Sequence, residues 1–262
     1  MSGHSTSRGT TLLTAAGLAF GGIILLRIIG GLLRVEPQPG PRTLLAQVIA
    51  IGAIVVVLAV LRLARHLTPG GSWAWGRGWP FLACGAIILI LGQLAEVKGS
   101  PSLPLVAAFV VHCLLTGIFE EFLCRAGVQN ICRRSFSPLA GVLISSALFG
   151  VIHFANLTEQ GPIETTTQVL YAFCLGTFLG YLYELTRNIY FVALLHAGFN
   201  MLGSYSSLGL EKSGQDIPLG AAAIQILIIA PLLILAITRL RKLTRDGALP
   251  DRRPAEGQPL GA

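Results

Sequence analysis

The chain has 262 residues, of which 53% are hydrophobic and only 12% are charged, and its mean hydropathy is +0.71. Soluble domains carry about 25% charged residues, so this composition excludes an ordinary soluble domain and indicates a membrane protein. The net charge of +7 requires no nucleic-acid partner, because Lys and Arg gather in the cytoplasmic loops of membrane proteins.

Apolar runs that are long enough to cross a bilayer recur along the chain. A spanning helix needs about 20 apolar residues, and the pattern predicts an all-α, polytopic transmembrane helical bundle of about eight spans. The predicted spans cover residues 11–33, 44–63, 80–94, 104 to the basic segment before 135, 139–156, 168–185, 189–202 and 219–237. The sixth contains Gly176 and Gly180, whose GxxxG spacing permits close helix approach.

The polar segments set the expected boundaries and orientation of the chain. We expect a polar tail at 1–10, a membrane domain at 11–240 with its polar motifs gathered in a core at 104–206, and a tail at 241–262 that is first basic and then disordered. Arginines crowd the loop after span two, the turn before span five and the C-terminal tail, whereas the loop at 158–164 is acidic. This bias predicts that both termini are cytoplasmic.

Two adjacent carboxylates interrupt the apolar run of span four. Glu120 and Glu121 are followed one turn later by Arg125. Acids inside hydrocarbon are costly unless they are paired or hydrated, so they indicate a functional site. Glu121 and Arg125 have the i,i+4 spacing of an ion pair, which leaves Glu120 on a neighbouring helix face for chemistry. Taken alone, the alternative interpretation is an ion-pair cluster at a helix end.

Two histidines in apolar runs lie at heights that match the acids. Glu120 and His153 each lie 16 residues from the turn at 136–137, or roughly 24 Å at about 1.5 Å per residue. His196 lies eight residues after Asn188, roughly 12 Å inside another turn on the same side. We expect the cluster in the cytoplasmic half of the bilayer, provided that the basic end of span four protrudes.

The same helical spacing places a second side chain beside each histidine. Phe149 and His153 are at i,i+4, so the aromatic ring can pack against the imidazole. His196 and Asn200 have the same spacing, which places an imidazole and an amide side by side. The alternative for His153 is a core histidine bonded to a backbone carbonyl. For His196 with Asn200 it is hydrogen bonding that joins helices. Three such features in neighbouring spans, at compatible depths, favour a site.

These motifs resemble those of a known family. EEFLCR at 120–125, FGVIH at 149–153 and HAGFN at 196–200 are similar, in order, to the EExxxR, FxxxH and HxxxN motifs of the CAAX-protease and bacteriocin-processing family of intramembrane endopeptidases, also called the Abi family. The resemblance covers about residues 104–206. One departure is Ala126, which follows the motif arginine where the family often has glycine.

The resemblance implies a peptide hydrolase with four catalytic residues. Glu120 would act as general base with His153 and activate a water molecule for attack on the scissile carbonyl. His196 and Asn200 would donate hydrogen bonds to the developing oxyanion. A glutamate in a low-dielectric pocket is also suited to base catalysis near neutral pH, so the residues permit the same roles.

The resemblance gives Glu121 and Arg125 a supporting role, in which they brace the helix and tune the neighbouring acid. A zinc-dependent version of the hydrolysis is the alternative, because Glu120, His153 and His196 offer the one-carboxylate, two-histidine set of catalytic zinc sites. The chain lacks the HExxH motif. A metal-free, glutamic-type mechanism is therefore favoured, with no cofactor.

The remaining hypotheses are a non-catalytic membrane scaffold or immunity protein, and a proton or small-molecule transporter. Buried acids and histidines also form proton relays, but the inverted repeat typical of transporters is not evident in the sequence. The favoured function is an endopeptidase in the plasma membrane of a prokaryote. Its partners would be the lipid bilayer and a membrane-associated protein or peptide substrate, which the sequence does not identify.

Overall fold

The computed structural model describes residues 7–36, 38–95, 101–205, 208 and 216–249, and for 93–95 it describes the backbone only. The described residues form helices and their connections and contain no strand, which confirms the predicted all-α class. The predicted tails lie partly outside this description, because residues 1–6 and 250–262 are not covered.

Nine α-helices occur in the described part of the chain. They are α1 (Arg8–Leu33), α2 (Pro41–Val60), α3 (Trp75–Ala95), α4 (Leu103–Glu121), α5 (Asn130–Cys132), α6 (Pro138–Ile152), α7 (Pro162–Thr186), α8 (Ile189–Ser204) and α9 (Leu219–Arg245). Two 3₁₀ segments, Ala64–Leu67 and His153–Thr158, follow α2 and α6. A π-helix, Phe122–Gln129, joins α4 directly to α5.

The helix lengths agree with the predicted number of spans. Among the described residues, seven helical segments are long and apolar enough to cross a membrane, and α8 is a shorter apolar helix. The protein is therefore an integral membrane protein with about eight spans. The fourth span is the longest, because α4, the π-helix and α5 run on without a break over Leu103–Cys132.

Four helices, α1, α2, α3 and α7, begin at least three residues earlier than the apolar pattern indicated, and α3 and α7 differ most. α3 starts at Trp75 and α7 at Pro162. Proline suits the first turn of a helix because its missing N–H has no partner there anyway. The carboxylate of Asp216 accepts from the backbone N–H groups of Ile163 and Glu164 at 2.9 and 2.7 Å and so caps α7. α9 extends to Arg245, where basic residues in the last turn favour the helix C-terminus.

Short polar residues also begin the helices that carry the histidines. The Ser137 hydroxyl accepts from Ala140 N–H at the start of α6, and the Asn188 side chain accepts from Phe191 N–H at the start of α8. Each cap satisfies a donor that the first helical turn leaves free. The starting residues of α6 and α8, and with them the heights of His153 and His196, are fixed locally by the sequence.

Glycines let the helices around the acids approach closely. A Cβ at Gly117 on α4 would lie 2.7 Å from the carbonyl oxygen of Ala193 on α8. A Cβ at Gly180 on α7 would lie 2.9 Å from the Val142 side chain on α6. The predicted GxxxG approach is therefore present, and α4 lies against α8 at the level of the motifs.

A buried carboxylate ties the end of α7 to the π-helix. Glu184 is fully buried and forms an ion pair with Arg187, with Nη2 and Oε2 3.2 Å apart. The Gln129 amide donates to Glu184 Oε1 at 2.9 Å, and Arg133 Nε lies 3.5 Å from the same oxygen. These contacts hold the C-terminal end of the π-helix against α7.

Candidate active site

The two acids differ in their exposure to solvent. Glu121 is the last residue of α4 and its side chain is fully buried, whereas the side chain of Glu120 keeps 15% of its surface exposed. A charged carboxylate is stable inside a protein only when it is paired and hydrogen-bonded. Glu121 is therefore suited to a structural role, and Glu120 is the acid that a water molecule or substrate can reach.

One imidazole joins both acids. Arg125 Nε lies 3.1 Å from Glu121 Oε2, so the predicted i,i+4 ion pair is present. His196 Nδ1 lies 2.9 Å from Glu121 Oε1, and His196 Nε2 lies 3.3 Å from Glu120 Oε2. We call Arg125, Glu121, His196 and Glu120 the ionic chain. With one proton shared between His196 and Glu120, its formal charges sum to zero, which reduces the desolvation cost of burying it.

The hydrogen bond to Glu121 determines how His196 is protonated. An ionised carboxylate only accepts hydrogen bonds, so Nδ1 of His196 must carry a proton. In the neutral imidazole Nε2 is then an acceptor, and it becomes a donor only in the imidazolium form. Donation from His196 to an oxyanion therefore requires the proton that it shares with Glu120. The sequence-based interpretation gave His196 the donor role without this condition.

Phe149 brings the second histidine to the ionic chain. Its ring meets the rings of His153 and His196 edge to face, with centroids 4.9 and 5.8 Å apart, and the Arg125 guanidinium lies 5.4 Å from its centroid. His153 Nδ1 lies 2.7 Å from the Phe149 carbonyl oxygen, which is the bond expected for a core histidine. This bond places the proton on Nδ1, so that Nε2 of His153 is an acceptor.

The predicted site residues fall into two groups. The structure brings Glu120, Glu121, Arg125, Phe149 and His196 together, and His153 joins them through Phe149. Asn200 is half-buried and follows His196 by one turn of α8, outside the ionic chain.

Two polar residues of α7 near the site were not predicted. The Tyr171 hydroxyl interacts electrostatically with Glu120 and with the side chain of Gln168. The Asn156 amide donates to Gln168 Oε1 at 2.9 Å, and Arg27 donates to Asn156 Oδ1 at 3.0 Å. A polar route therefore leads from the neighbourhood of Glu120 to the loop after α6. The one sequence signal was a tyrosine and a glutamine three residues apart on an apolar helix.

The π-helix that begins directly after Glu121 was also not predicted. It covers eight residues, all of them buried, and π-helical turns occur mostly as short insertions at functional sites. The hydrogen-bond register of a helix has no compositional signature, so the sequence could not have indicated it. Arg125 lies inside this segment, so the register decides where its guanidinium points.

The residues present give a partial fit to zinc. Glu120 and His196 Nε2 could both face one ion, and the bonds of His196 to Glu121 and of His153 to a backbone carbonyl are typical of the outer contacts that orient zinc ligands. A zinc site needs at least three protein ligands. In the part of the chain that the structure describes, no group of three His, Cys, Asp or Glu side chains has the geometry to hold a metal ion. The three predicted ligands therefore do not form a zinc set in this conformation.

The site lies inside the bundle of spans. Gln47 on α2 donates to the Thr116 hydroxyl at 2.7 Å, one turn before Glu120. Gly176, near the middle of α7, packs beside the ring of Phe149. Residues 122–132 are all buried against the rest of the protein. The position of the site in the cytoplasmic half of the bilayer stays a prediction.

The fold and the site together define a class: a polytopic integral membrane protein with a chain of acidic and imidazole groups buried at the centre of its bundle. A family model described as Type II CAAX prenyl endopeptidase Rce1-like matches residues 101–202, the segment that holds all three motifs. Over this segment the chain is similar to the family of CAAX-type membrane proteases that its motifs resemble. No curated protein matches the chain.

Proposed function

We propose that this chain is an intramembrane endopeptidase of glutamic type, with Glu120 as the general base. The single observation that carries the proposal is the ionic chain, in which a buried Arg125–Glu121 pair orients His196 against the partly exposed carboxylate of Glu120. Glu121 is already engaged by two partners and is shielded from solvent. Glu120 is therefore the acid left for proton transfer.

The proposed reaction begins with a water molecule between Glu120 and His153. Glu120 accepts one proton of this water, and Nε2 of His153 accepts a hydrogen bond from the other. The water oxygen bonds to the carbonyl carbon of the scissile peptide and forms a tetrahedral intermediate. The same proton is then transferred from Glu120 to the leaving nitrogen as the C–N bond breaks.

His196 and Asn200 stabilise the intermediate in this proposal. His196 donates from Nε2 while its Nδ1–H stays bonded to Glu121, and the buried carboxylate favours the imidazolium that this donation needs. The Asn200 amide, one turn further along α8, donates a second hydrogen bond. Preorganised donors of this kind are worth about 10²–10³-fold each in kcat.

The substrate class and the orientation are part of the proposal. A site inside a bundle of membrane spans fits a peptide bond in a membrane-anchored protein or a membrane-bound peptide, and the family match supports a peptide substrate within the membrane. The charge bias supports cytoplasmic termini in the plasma membrane of a prokaryote. The proposed reaction requires no metal.

Cleavage assays with matched variants test this function. The protein is reconstituted in liposomes with peptides that end in Cys-aliphatic-aliphatic-X, with and without a farnesyl group on the cysteine, and with labelled membrane proteins from the host. We expect cleavage by the parent and by Glu159→Gln, an exposed glutamate that pairs only with Arg27 among its described ion-pair partners. Glu120→Gln and His153→Ala should lose it. Parental rates in both of these variants would remove the catalytic assignment.

A further inference from the structure

A line of polar side chains runs between α2 and α4 and leads to Glu120. Gln47 on α2 donates from Nε2 to the Thr116 hydroxyl at 2.7 Å and to the His112 carbonyl oxygen at 3.4 Å. Thr116 lies one turn before Glu120 on α4, and Thr43 lies one turn before Gln47 on α2. Residues at this spacing share a helix face, with Cβ atoms about 5–6 Å apart. We call Thr43, Gln47 and Thr116 the polar seam.

The seam begins at a surface cavity. This cavity has a volume of about 150 Å³, lies at the start of α2 and is lined by Glu36, Gly40, Pro41, Arg42 and Thr43. It holds several water molecules, since one occupies about 30 Å³ in the liquid. Thr43 belongs to both the cavity wall and the seam, so the seam joins the surface of the protein to its interior.

Two buried oxygen atoms of the seam lack a partner in the protein. Gln47 is 6% exposed. Its amide nitrogen faces a backbone carbonyl, which only accepts, and this identifies the other amide atom as the oxygen. Gln47 Oε1 and Thr43 Oγ1 are both buried and have no hydrogen-bond partner among the described residues. Water is the usual partner of such atoms, so the seam offers two binding points for water between the cavity and Glu120.

Peptide hydrolysis consumes one water molecule for each bond that is cut. The hydrocarbon core of a bilayer contains no water to supply it, so the water must pass through the protein. The seam ends within one helical turn of Glu120, whose side chain is 15% exposed. It therefore connects a hydrated cavity with the acid that the proposed reaction uses as its base.

We propose that the polar seam delivers the hydrolytic water to Glu120, and that Gln47 is a positioning residue that holds water halfway along it. The proposal rests on the proposed function, because it assigns the seam a part in peptide hydrolysis. Gln47 contacts Thr116 and the His112 carbonyl and no reacting group. It acts through the water that its Oε1 binds.

Silver ions measure access to the seam independently of catalysis. Ag⁺ is close in size to a water molecule, stays in water and reacts with thiols. Thr116→Cys reports on the inner end of the seam and Thr43→Cys on its mouth. Val111→Cys reports on the lipid, because Val111 on α4 is 42% exposed. Each is made in a chain whose five native cysteines are replaced by alanine, in nanodiscs that leave both faces of the bilayer accessible.

The rates of thiol blocking distinguish a hydrated seam from a dry one. We expect Ag⁺ to block Thr116→Cys at least about 10-fold faster than Val111→Cys, because hydrocarbon excludes the ion. Gln47→Leu replaces the amide by an apolar side chain of similar size. It should slow the reaction of Thr116→Cys by about 10-fold and leave that of Thr43→Cys unchanged, since only the inner end lies beyond Gln47.

Gln129→Leu is the matched control for the loss of a buried amide. Gln129 is fully buried, and its amide donates to the Gly180 carbonyl and to Glu184 on α7, away from the seam. Gln129→Leu should therefore leave the rates of both seam reporters unchanged. Equal slowing by Gln47→Leu and Gln129→Leu would overturn the proposal, because the effect would not be specific to the seam.

The second readout is hydrolysis by the chain with its native cysteines. We expect Gln47→Leu to lower kcat by about 10-fold with little change in KM, because the supply of water falls while the substrate contacts remain. Gln47→Asn keeps an amide that binds water and should hold kcat within about threefold of the parent. Gln129→Leu should change neither constant.

A seam that excludes water would overturn the proposal. The sign would be that Ag⁺ blocks Thr116→Cys no faster than Val111→Cys. Parental kcat in folded Gln47→Leu would overturn it as well. If Gln47→Leu does not fold, fast blocking of Thr116→Cys supports the proposal and slow blocking contradicts it. If the parent hydrolyses no peptide, the proposed function fails, whereas the Ag⁺ rates still decide whether the seam carries water.

Discussion

Breaking the buried ion pair at the head of the ionic chain should cost more stability than deleting the pair as a whole. Arg125 and Glu121 are both fully buried, with Nε and Oε2 3.1 Å apart. Arg125→Met leaves the Glu121 carboxylate with only His196 to balance it. Removing one partner of a buried pair costs about 3–5 kcal/mol. At roughly 2–4 °C per kcal/mol for a chain of about this size, Tm should fall by roughly 6–20 °C.

The double variant Glu121→Gln with Arg125→Met should recover at least half of that loss. The glutamine oxygen still accepts from His196 Nδ1, but no uncompensated charge remains in the bundle, and replacing a whole buried pair by neutral groups is often close to neutral in free energy. The matched control is Arg27→Met. Arg27 pairs with Glu159 at 3.0 Å with both side chains substantially exposed, so its loss should cost less than about 1 kcal/mol.

The cysteines supply the assay. All five are free and buried, so a dye that fluoresces on reacting with thiols reports unfolding during a temperature ramp. With Glu121→Gln alone as the second single variant, the Tm values complete a double-mutant cycle for the pair. A double variant no more stable than Arg125→Met, or an Arg125→Met variant as stable as the parent, would refute the argument that Arg125 balances Glu121.

Three further predictions concern the same bundle. Cleavage should persist in 1,10-phenanthroline at concentrations that strip zinc, and loss of activity that is restored by added Zn²⁺ would reverse the proposed mechanism. Gly117→Ala should push α4 away from α8, lower the free energy of unfolding by about 1–3 kcal/mol and reduce cleavage. The control Gly21→Ala, with open space at its Cβ, should change neither stability nor cleavage. Equal effects of the two variants would contradict the close approach of α4 and α8. Asp216→Ala should lower Tm through loss of the α7 cap, worth about 0.5–2 kcal/mol, and an unchanged Tm would mean that the cap contributes nothing.

The sequence predicted the spans and the meeting of the motifs because both depend on helix geometry. Rise per residue is nearly constant, so counting from the turns placed Glu120, His153 and His196 at compatible heights. The i,i+4 rule also predicted the contact between Glu121 and Arg125, which the structure contains. These predictions required only spacing, which a sequence states directly.

The details that spacing does not contain were missed. Both acids contact one imidazole through its two nitrogens, although adjacent residues were expected to use separate faces. The burial of residues 122–132 is a property of the packed bundle. Side-chain donors such as Asn130 and Ser145 bond to consecutive backbone carbonyls of the π-helix, and they meet these carbonyls only once the chain has folded.

The position of the site inside the bundle of spans has a consequence for any polypeptide that enters it. A transmembrane segment crosses hydrocarbon as a helix because every backbone amide then has its partner within the segment. Attack on a peptide carbonyl requires that helix to open, and each amide released without a new partner costs several kcal/mol. Segments that already contain proline or glycine at this depth have less helical order to lose, so they should be cut in preference to uninterrupted leucine-rich helices of equal length.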